Sequence, residues 1–273
     1  MGNIVFAKPR HDYGSYSDLW RLVELSNFPT IYMDEIDPQS DNVYIFSTPD
    51  NHWRDGTYHV GWPGATARII YLNLEWYTDV DYNIVPGLSE VWTGDKWWSE
   101  VYHQRYVPMG SHPGLRPDEP FDDGAVYDVA WLAYESYRRM HARAQMTAHA
   151  LTIAPNGWGR ERHNILSRSR CMVHVHQLCH DNDDPFGTPI ATVCPLRWVL
   201  AAAYSLPMVT ETLADEGVFT AGYRLMAGLD YLPPFLTTWL EPVNANLLHD
   251  YGHSLNRFLC HEYTFRKGIE AHV

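Results

Sequence analysis

The sequence predicts an α/β protein of two Rossmann-like lobes, and three observations carry that prediction. From Ala154 to Glu211 the chain alternates loop, helix, buried strand, loop, helix and buried strand, the alternation that builds a parallel sheet. The first half shows the same habit on a smaller scale, with short apolar runs separated by polar loops. Between them the stretch GSHPGLRPDEPFDDG, 110–124, concentrates Pro, Gly and acids with little apolar periodicity and reads as a linker. Lobes of 1–115 and 116–273 follow.

Taken in order, IVFA at 4–7 reads as a strand, KPRHDYGS as a polar loop, and the run from about Tyr16 to Leu25 as a helix with Leu19, Trp20, Leu22 and Val23 on its apolar side. Strands are expected at Thr30–Met33, Val43–Phe46 and Arg68–Leu74, with shorter ones near Glu90–Trp92 and Arg105–Val107. In the second half VYDVAWLAY reads as a strand and YESYRRMHARAQMTAHA as a helix. The pattern continues with strand Leu151–Ala154, helix Arg160–Ser167, strand Cys171–His176, helix Thr192–Tyr204 and strand Met208–Thr210. A last helical stretch from about Pro242 to Phe258 precedes the tail.

Length and composition suit this organisation. A chain of 273 residues with 45% hydrophobic content, 11 Trp and 18 Tyr can bury a sizeable core and still present aromatic stacking faces. Its formal charge of −13 argues against gripping nucleic acid over a broad face. One local exception is an island from Arg138 to Arg170 that holds Arg138, Arg139, Arg143, Arg160, Arg162, Arg168 and Arg170 with no Lys and one acid, Glu161. The start MGNIVFAKPR turns polar too quickly for a signal peptide and no stretch has the apolar length of a membrane span, so a cytoplasmic protein is expected. Cys171, Cys179, Cys194 and Cys260 lack paired short spacings and read as free thiols.

Parallel sheets bind ligands beyond the carboxyl ends of their strands, where helix N-termini aim N–H groups at anions. Pro195-Leu196-Arg197, at the mouth of an alanine-rich helix, is such a place. An arginine in a first helical turn sits badly with the helix dipole, and an anion partner relieves that.

On these residues the chain, from about Arg68 onward, resembles the GT-B glycosyltransferases, in particular the spore-maturation-type, family 1-like proteins of bacteria and phages. The resemblance is carried by IIYLNLEW ending near Glu75, VWTGDKWW, YVPMG at 106–110, YDVAWLAYESYRR, IAPNGWG, SRSRCMVHVHQ, CPLRWVLAAAYSLPMVTE and the tail LCHEYTFRKGIE. It implies two Rossmann-like lobes facing a central cleft, a nucleotide sugar in the C-terminal lobe and a hydroxyl acceptor against the N-terminal one. The acceptor could be a saccharide, a small molecule or a modified DNA base, and no cofactor beyond the donor is required. For the donor it points to Tyr134, Arg138, the turn Asn156, Gly157 and Trp158, His176 and Gln177 at a strand end, Pro195, Leu196, Arg197 and Glu211. The chain departs from the pattern at Leu200, where a ribose-binding Glu is usual, and at Ser205, where Gly is usual; Glu211 is a candidate replacement for the lost carboxylate.

Candidates for the base that deprotonates the acceptor are His11, Asp12 and Glu75, in first-lobe loops. Asp12 serves equally as a helix N-cap and Glu75 as a structural acceptor. Trp76, Trp92, Trp97 and Trp98 are candidates to stack on sugar or base. The run HVHQLCHDNDD invites a zinc reading through His174, His176 and Cys179 or His180, and Asp181-Asn182-Asp183 an Asp-x-Asp metal reading. We favour neither: alternating His and Val make one polar strand face, and the acids sit in a Pro- and Gly-rich loop. Two further functions stay open, a phage-type transferase acting on hydroxymethylated DNA bases and a non-catalytic binding protein, the latter on the strength of Leu200.

Overall fold

A computed structural model describes residues 2–10, 16–47, 61–74, 85–117, 127–132, 136–157, 159–175, 194–211 and 224–273. The chain divides into two compact units. One comprises Met1–Gly110 with Cys194–Leu196 and Phe265–Val273, the other Ser111–Val193 with Arg197–Thr264.

The first unit is a six-stranded sheet in the order β2-β1-β3-β4-β5-β6, built from β1 (Ile4–Lys8), β2 (Thr30–Tyr32), β3 (Val43–Phe46), β4 (Arg68–Asn73), β5 (Glu90–Thr93) and β6 (Arg105–Tyr106). Every pairing is parallel. Parallel sheets are covered on both faces, which is why these strands read as near-continuous apolar runs. Val5, Ala7, Tyr44, Phe46, Ile69 and Tyr71 form the core on one side. Phe6, one residue out of step and so on the other face, meets Phe28 at 5.1 Å and Phe265 at 5.8 Å between ring centroids. Helix α1 (Ser17–Leu25) buries Leu19, Leu22 and Val23, as its spacing predicts. Helix α2 (Lys96–Val101) was not foreseen. Six residues show too little periodicity, and the cue was Asp95, whose Oδ1 accepts from Trp98 N at 2.8 Å as an N-cap.

The tail, which the sequence places in the second lobe, groups with the first unit. Its helix, Phe265–Glu270, brings Phe265 to the Phe6–Phe28 pair, and Arg266 Nη1 donates to Ser26 O at 2.9 Å. Arg68 Nη1 donates to Val273 O at 2.7 Å.

The second unit is a four-stranded parallel sheet, β10-β9-β8-β7, of β7 (Tyr127–Trp131), β8 (Ser169–His174), β9 (Met208–Glu211) and β10 (Arg224–Ala227). Helix α3 (Tyr137–Ala148) follows β7, α4 (Arg160–Ser167) precedes β8, and α5 (Pro195–Ala203) precedes β9. The expected strand Leu151–Ala154 is reduced to a single parallel bridge between Ile153 and Val129, because only Thr152 O and Ala154 N bond the backbone of β7 around it. Beyond β10 the chain forms α6 (Leu232–Trp239) and α7 (Ala245–Asn256), continued by a π-helical turn, Arg257–Glu262. Leu232, Leu236, Leu240 and Leu248 close the core over Val129, Cys171, Val173 and Val209. Numbering the tail helix Phe265–Glu270 as α8 completes the order. Among the described residues no helix is long and apolar enough to cross a membrane.

Candidate functional site at the carboxyl edge of the second sheet

Strands β7, β8 and β9 end at Trp131, His174 and Glu211, and the register sets His174 beside Thr210. Helix α3 is the next described element after β7 and α5 the next after β8, so the polar groups gathered here come from strand ends and first helical turns.

Helix α3 begins at Ser136, whose extended backbone and side chain cap it: Oγ accepts from Arg139 N at 3.3 Å. The first turn then carries Arg138 and Arg139, which diverge as neighbours on a helix must. Arg138 forms an ion pair with Glu211, with side chains 23% and 9% exposed. Arg139 turns inward, is 2% exposed, and donates from Nε to Val175 O at 3.1 Å, just past the end of β8. From the first turn of α5, Arg197 reaches Nδ1 of His174, itself 1% exposed. A guanidinium can only donate, so Nδ1 is the acceptor and we assign the ring proton to Nε2.

Among the described residues, three guanidiniums thus gather at the ends of β8 and β9 with one carboxylate, Glu211. Charges in such a setting are tolerated only when paired or hydrogen-bonded, and each has a partner. The surplus is positive and suits an anion. Thr210 Oγ1 and Trp131 Nε1 lie buried at the same edge with no hydrogen-bond partner among the described residues; both offer donors.

The other sequence candidates distribute as follows. Asn156 and Gly157 sit past the Ile153 bridge, and Gly157 packs on the helix that follows: a Cβ there would lie 2.8 Å from Ile165 Cδ1 and 3.0 Å from Glu161 Cγ, and Gly157 O accepts from Arg162 Nε at 3.3 Å. That glycine is needed for close packing, and Gly159, at φ +55°, for the turn into α4. Pro195 and Leu196 group with the first unit, where Gly94 leaves room for the Pro195 ring; a Cβ on Gly94 would lie 2.7 Å from it. His11, Asp12, Glu75, Tyr134, Trp158, His176 and Gln177 lie outside the described residues, as do Trp76 and the acidic run 181–183. Trp92 and Trp98 are buried in the core and are not stacking surfaces. Among the described residues no three His, Cys, Asp or Glu side chains stand close enough to hold a metal.

Sequence reasoning set Arg139 aside and missed Thr210 and Trp131. A buried arginine in the third position of a first turn has no sequence signature distinct from a solvated one. Leu200 is 2% exposed and belongs to the packed face of α5. Ser205 adopts φ +53°, the left-handed conformation that suits the glycine usual there.

No protein-family model and no curated protein matches the sequence. Solved structures do match along nearly the whole chain. AviGT4, a glycosyltransferase involved in avilamycin A biosynthesis, superposes with a TM-score of 0.62 at 11% identity, covering 99% of this chain and 96% of that one. HepE from Anabaena, solved with UDP and glucose, gives 0.58 at 10% identity and 99% of both chains. A glycosyltransferase from Rickettsia africae gives 0.56 at 8% identity, covering 99% and 97%. The protein therefore has the α/β fold of GT-B-type glycosyltransferases, with a parallel sheet and its helices in each unit.

Proposed function

We propose that this protein is a glycosyltransferase that moves a sugar from a nucleotide donor to a hydroxyl acceptor in the cytoplasm. The observation that carries the reading is the gathering of Arg138, Arg139 and Arg197 at the ends of β8 and β9, around Glu211. HepE, of the same fold, was also solved with UDP-glucose, which supports a nucleotide sugar as the donor class.

In the transfer the bond from anomeric carbon to diphosphate oxygen breaks and the acceptor oxygen takes its place. Its proton passes to a base, for which His11, Asp12 and Glu75 are our candidates. The departing diphosphate gains negative charge as the bond breaks, so guanidiniums fixed beside it stabilise the transition state more than the bound donor. Arg197 is the residue best placed for this, since it sits in the first turn of a helix, the end whose N–H groups and dipole favour an anion. Three guanidiniums supply the positive charge that a divalent ion would otherwise bring, and we therefore expect no metal requirement. The acceptor is a saccharide, a small molecule or a modified base, and the ordered sequence motifs favour the spore-maturation or phage branch of the fold.

A second reading has its own observation. The position of the usual ribose-binding Glu holds Leu200, buried in the helix core, so a protein that binds a nucleotide sugar without turning it over is the alternative.

Thermal shifts with nucleoside diphosphates and nucleotide sugars, with and without Mg²⁺, test both. A ligand at a hundred times its dissociation constant stabilises the fold by about 2.7 kcal/mol. Stabilisation by one nucleotide, unchanged by Mg²⁺ and lost in Arg197→Ala, is the expected result. No response to any nucleotide overturns the donor site; binding without hydrolysis or transfer leaves the binding protein.

A further inference from the structure

Helix α7 (Ala245–Asn256) carries the sequence His249-Asp250-Tyr251-Gly252-His253. Residues four apart share one helical face, and the two imidazoles do so closely, with ring centroids 4.0 Å apart and planes at 45°. Both side chains are exposed, that of His249 by 67%. Two His at this spacing on a helix form the ligand pair by which a divalent transition ion is gripped, each nitrogen about 2.1 Å from it. Asp250 adds a second element. Its Oδ1 lies 3.7 Å from His249 Nδ1, beyond hydrogen-bond reach but near enough to place a negative charge beside the pair, which favours a bound cation.

The platform is fixed from behind. Leu248 and Leu255 are buried, and Asn256 Nδ2 donates to Ala202 O at 2.8 Å. At Gly252 the helix passes so close to the Ser205 backbone that a Cβ would lie 1.9 Å from Ser205 O. The histidine pair is therefore presented by a helix that cannot roll away from its support.

We propose that His249 and His253 form a bidentate site for a late first-row divalent ion, zinc, nickel or copper, on the exposed face of α7. Neutral imidazole suits these ions rather than magnesium or calcium. Among the described residues no third ligand joins the pair, so water fills the remaining positions and the coordination is open. The site stands on different residues from the arginine cluster and does not depend on the glycosyltransferase reading.

The chain has 15 His and 4 Cys, so the test must resolve position. The full chain is stripped with chelator and titrated with zinc chloride, followed by calorimetry and by hydrogen exchange of the peptide spanning 245–256. A metal bridging one helical turn locks that turn, so zinc is expected to slow exchange across this peptide. Either His249→Ala or His253→Ala should abolish the protection and weaken this equivalent of zinc by about tenfold or more. The double variant should lose nothing further. Both residues are exposed, so circular dichroism of the variants is expected to match the parent. Absence of protection in the parent, or protection that survives either single substitution, overturns the proposal.

Discussion

Arg138 and Glu211 form an ion pair that spans the width of a strand: the arginine belongs to the helix after β7, the glutamate ends β9, and β8 lies between them in the sheet. The pair therefore draws positive charge over the end of β8, where Arg139 holds Val175 O and Arg197 meets His174. Its two members differ in burial, with 9% of the Glu211 side chain exposed and 23% of that of Arg138.

Replacing Glu211 with Gln keeps the shape and removes the counter-charge. Arg138 is then left partly buried and uncompensated, at a cost of about 1–3 kcal/mol, below the full penalty of a broken buried pair because the arginine retains some water. Urea denaturation measures this. At the same time the site loses a negative charge beside the proposed phosphate position, so inorganic pyrophosphate, which lacks a ribose, should bind more tightly. Weaker pyrophosphate binding in the variant would show that Glu211 organises the site rather than neutralising it.

Glu90 sets a pH dependence in the first unit. Burial pushes its carboxyl up, but hydrogen bonds from Trp92 Nε1, Arg68 and Arg105, with the charge of Arg68, outweigh this and hold it below its ordinary value of 4.5. A carboxyl depressed by folding contributes stability that is complete above the unfolded value and is lost as pH falls through the folded one. The variant Glu90→Gln should thus be less stable than the parent at pH 7 by about 1.5–3 kcal/mol, the range for hydrogen bonds to charged groups. The gap should narrow steadily below pH 4.5, the ordinary value for this carboxyl. Urea midpoints at several pH values decide it, and a gap that stays constant on acidification rules out Glu90 as the source.

Two of the thiols should be inert. Burial, with Asp128 adding to it, pushes Cys171 up to about 12, and burial pushes Cys260 up to about 11 against a hydrogen bond with Ser111. The thiolate is the nucleophile, and at pH 8 neither residue supplies it. Peptide mass spectrometry after iodoacetamide treatment should find both unmodified in the native chain and modified in urea. Cys194 is only half-buried and serves as an internal comparison. Alkylation of Cys171 as fast as Cys194 would mean that β8 opens on the timescale of the reaction.

The elements that could be read from the sequence are those whose burial repeats along the chain. Strands such as Val43–Phe46 and the helix Arg160–Ser167 appear where apolar spacing placed them. Two elements escaped: β10 is Arg-Leu-Met-Ala, without the β-branched and aromatic residues that mark a strand such as Val43–Phe46, and α2 has six residues, fewer than a helical period needs to show. The tail was assigned to the wrong neighbours for a related reason: Phe265 shows that it is buried, but not that Phe6 and Phe28 are what it meets. At the site, Arg138, Arg197 and Glu211 were legible from their positions at helix starts and a strand end. Their pairing, and the inward turn of Arg139, follow from three-dimensional proximity that no local spacing encodes.

Ser205 and Gly252 provide the last prediction, since each holds the other's requirement. Ser205 ends the turn after α5 at φ +53°, a conformation costing an L-residue with a side chain about 1 kcal/mol. Its carbonyl oxygen occupies the space a Cβ on Gly252 would take, at 1.9 Å. Ser205→Gly should therefore stabilise the chain, by up to about 1 kcal/mol, because relief of the left-handed strain outweighs the added freedom of the unfolded chain. Gly252→Ala forces a methyl group into backbone rather than into a side chain that could swing away, and should destabilise by about 3 kcal/mol or more. Combining them tests the contact itself. If strain at Ser205 fixes where its carbonyl sits, the glycine at 205 lets that oxygen retreat and the double variant recovers more than the sum of the single effects. Strict additivity in urea denaturation would show instead that α7 and the turn after α5 are each held by other contacts.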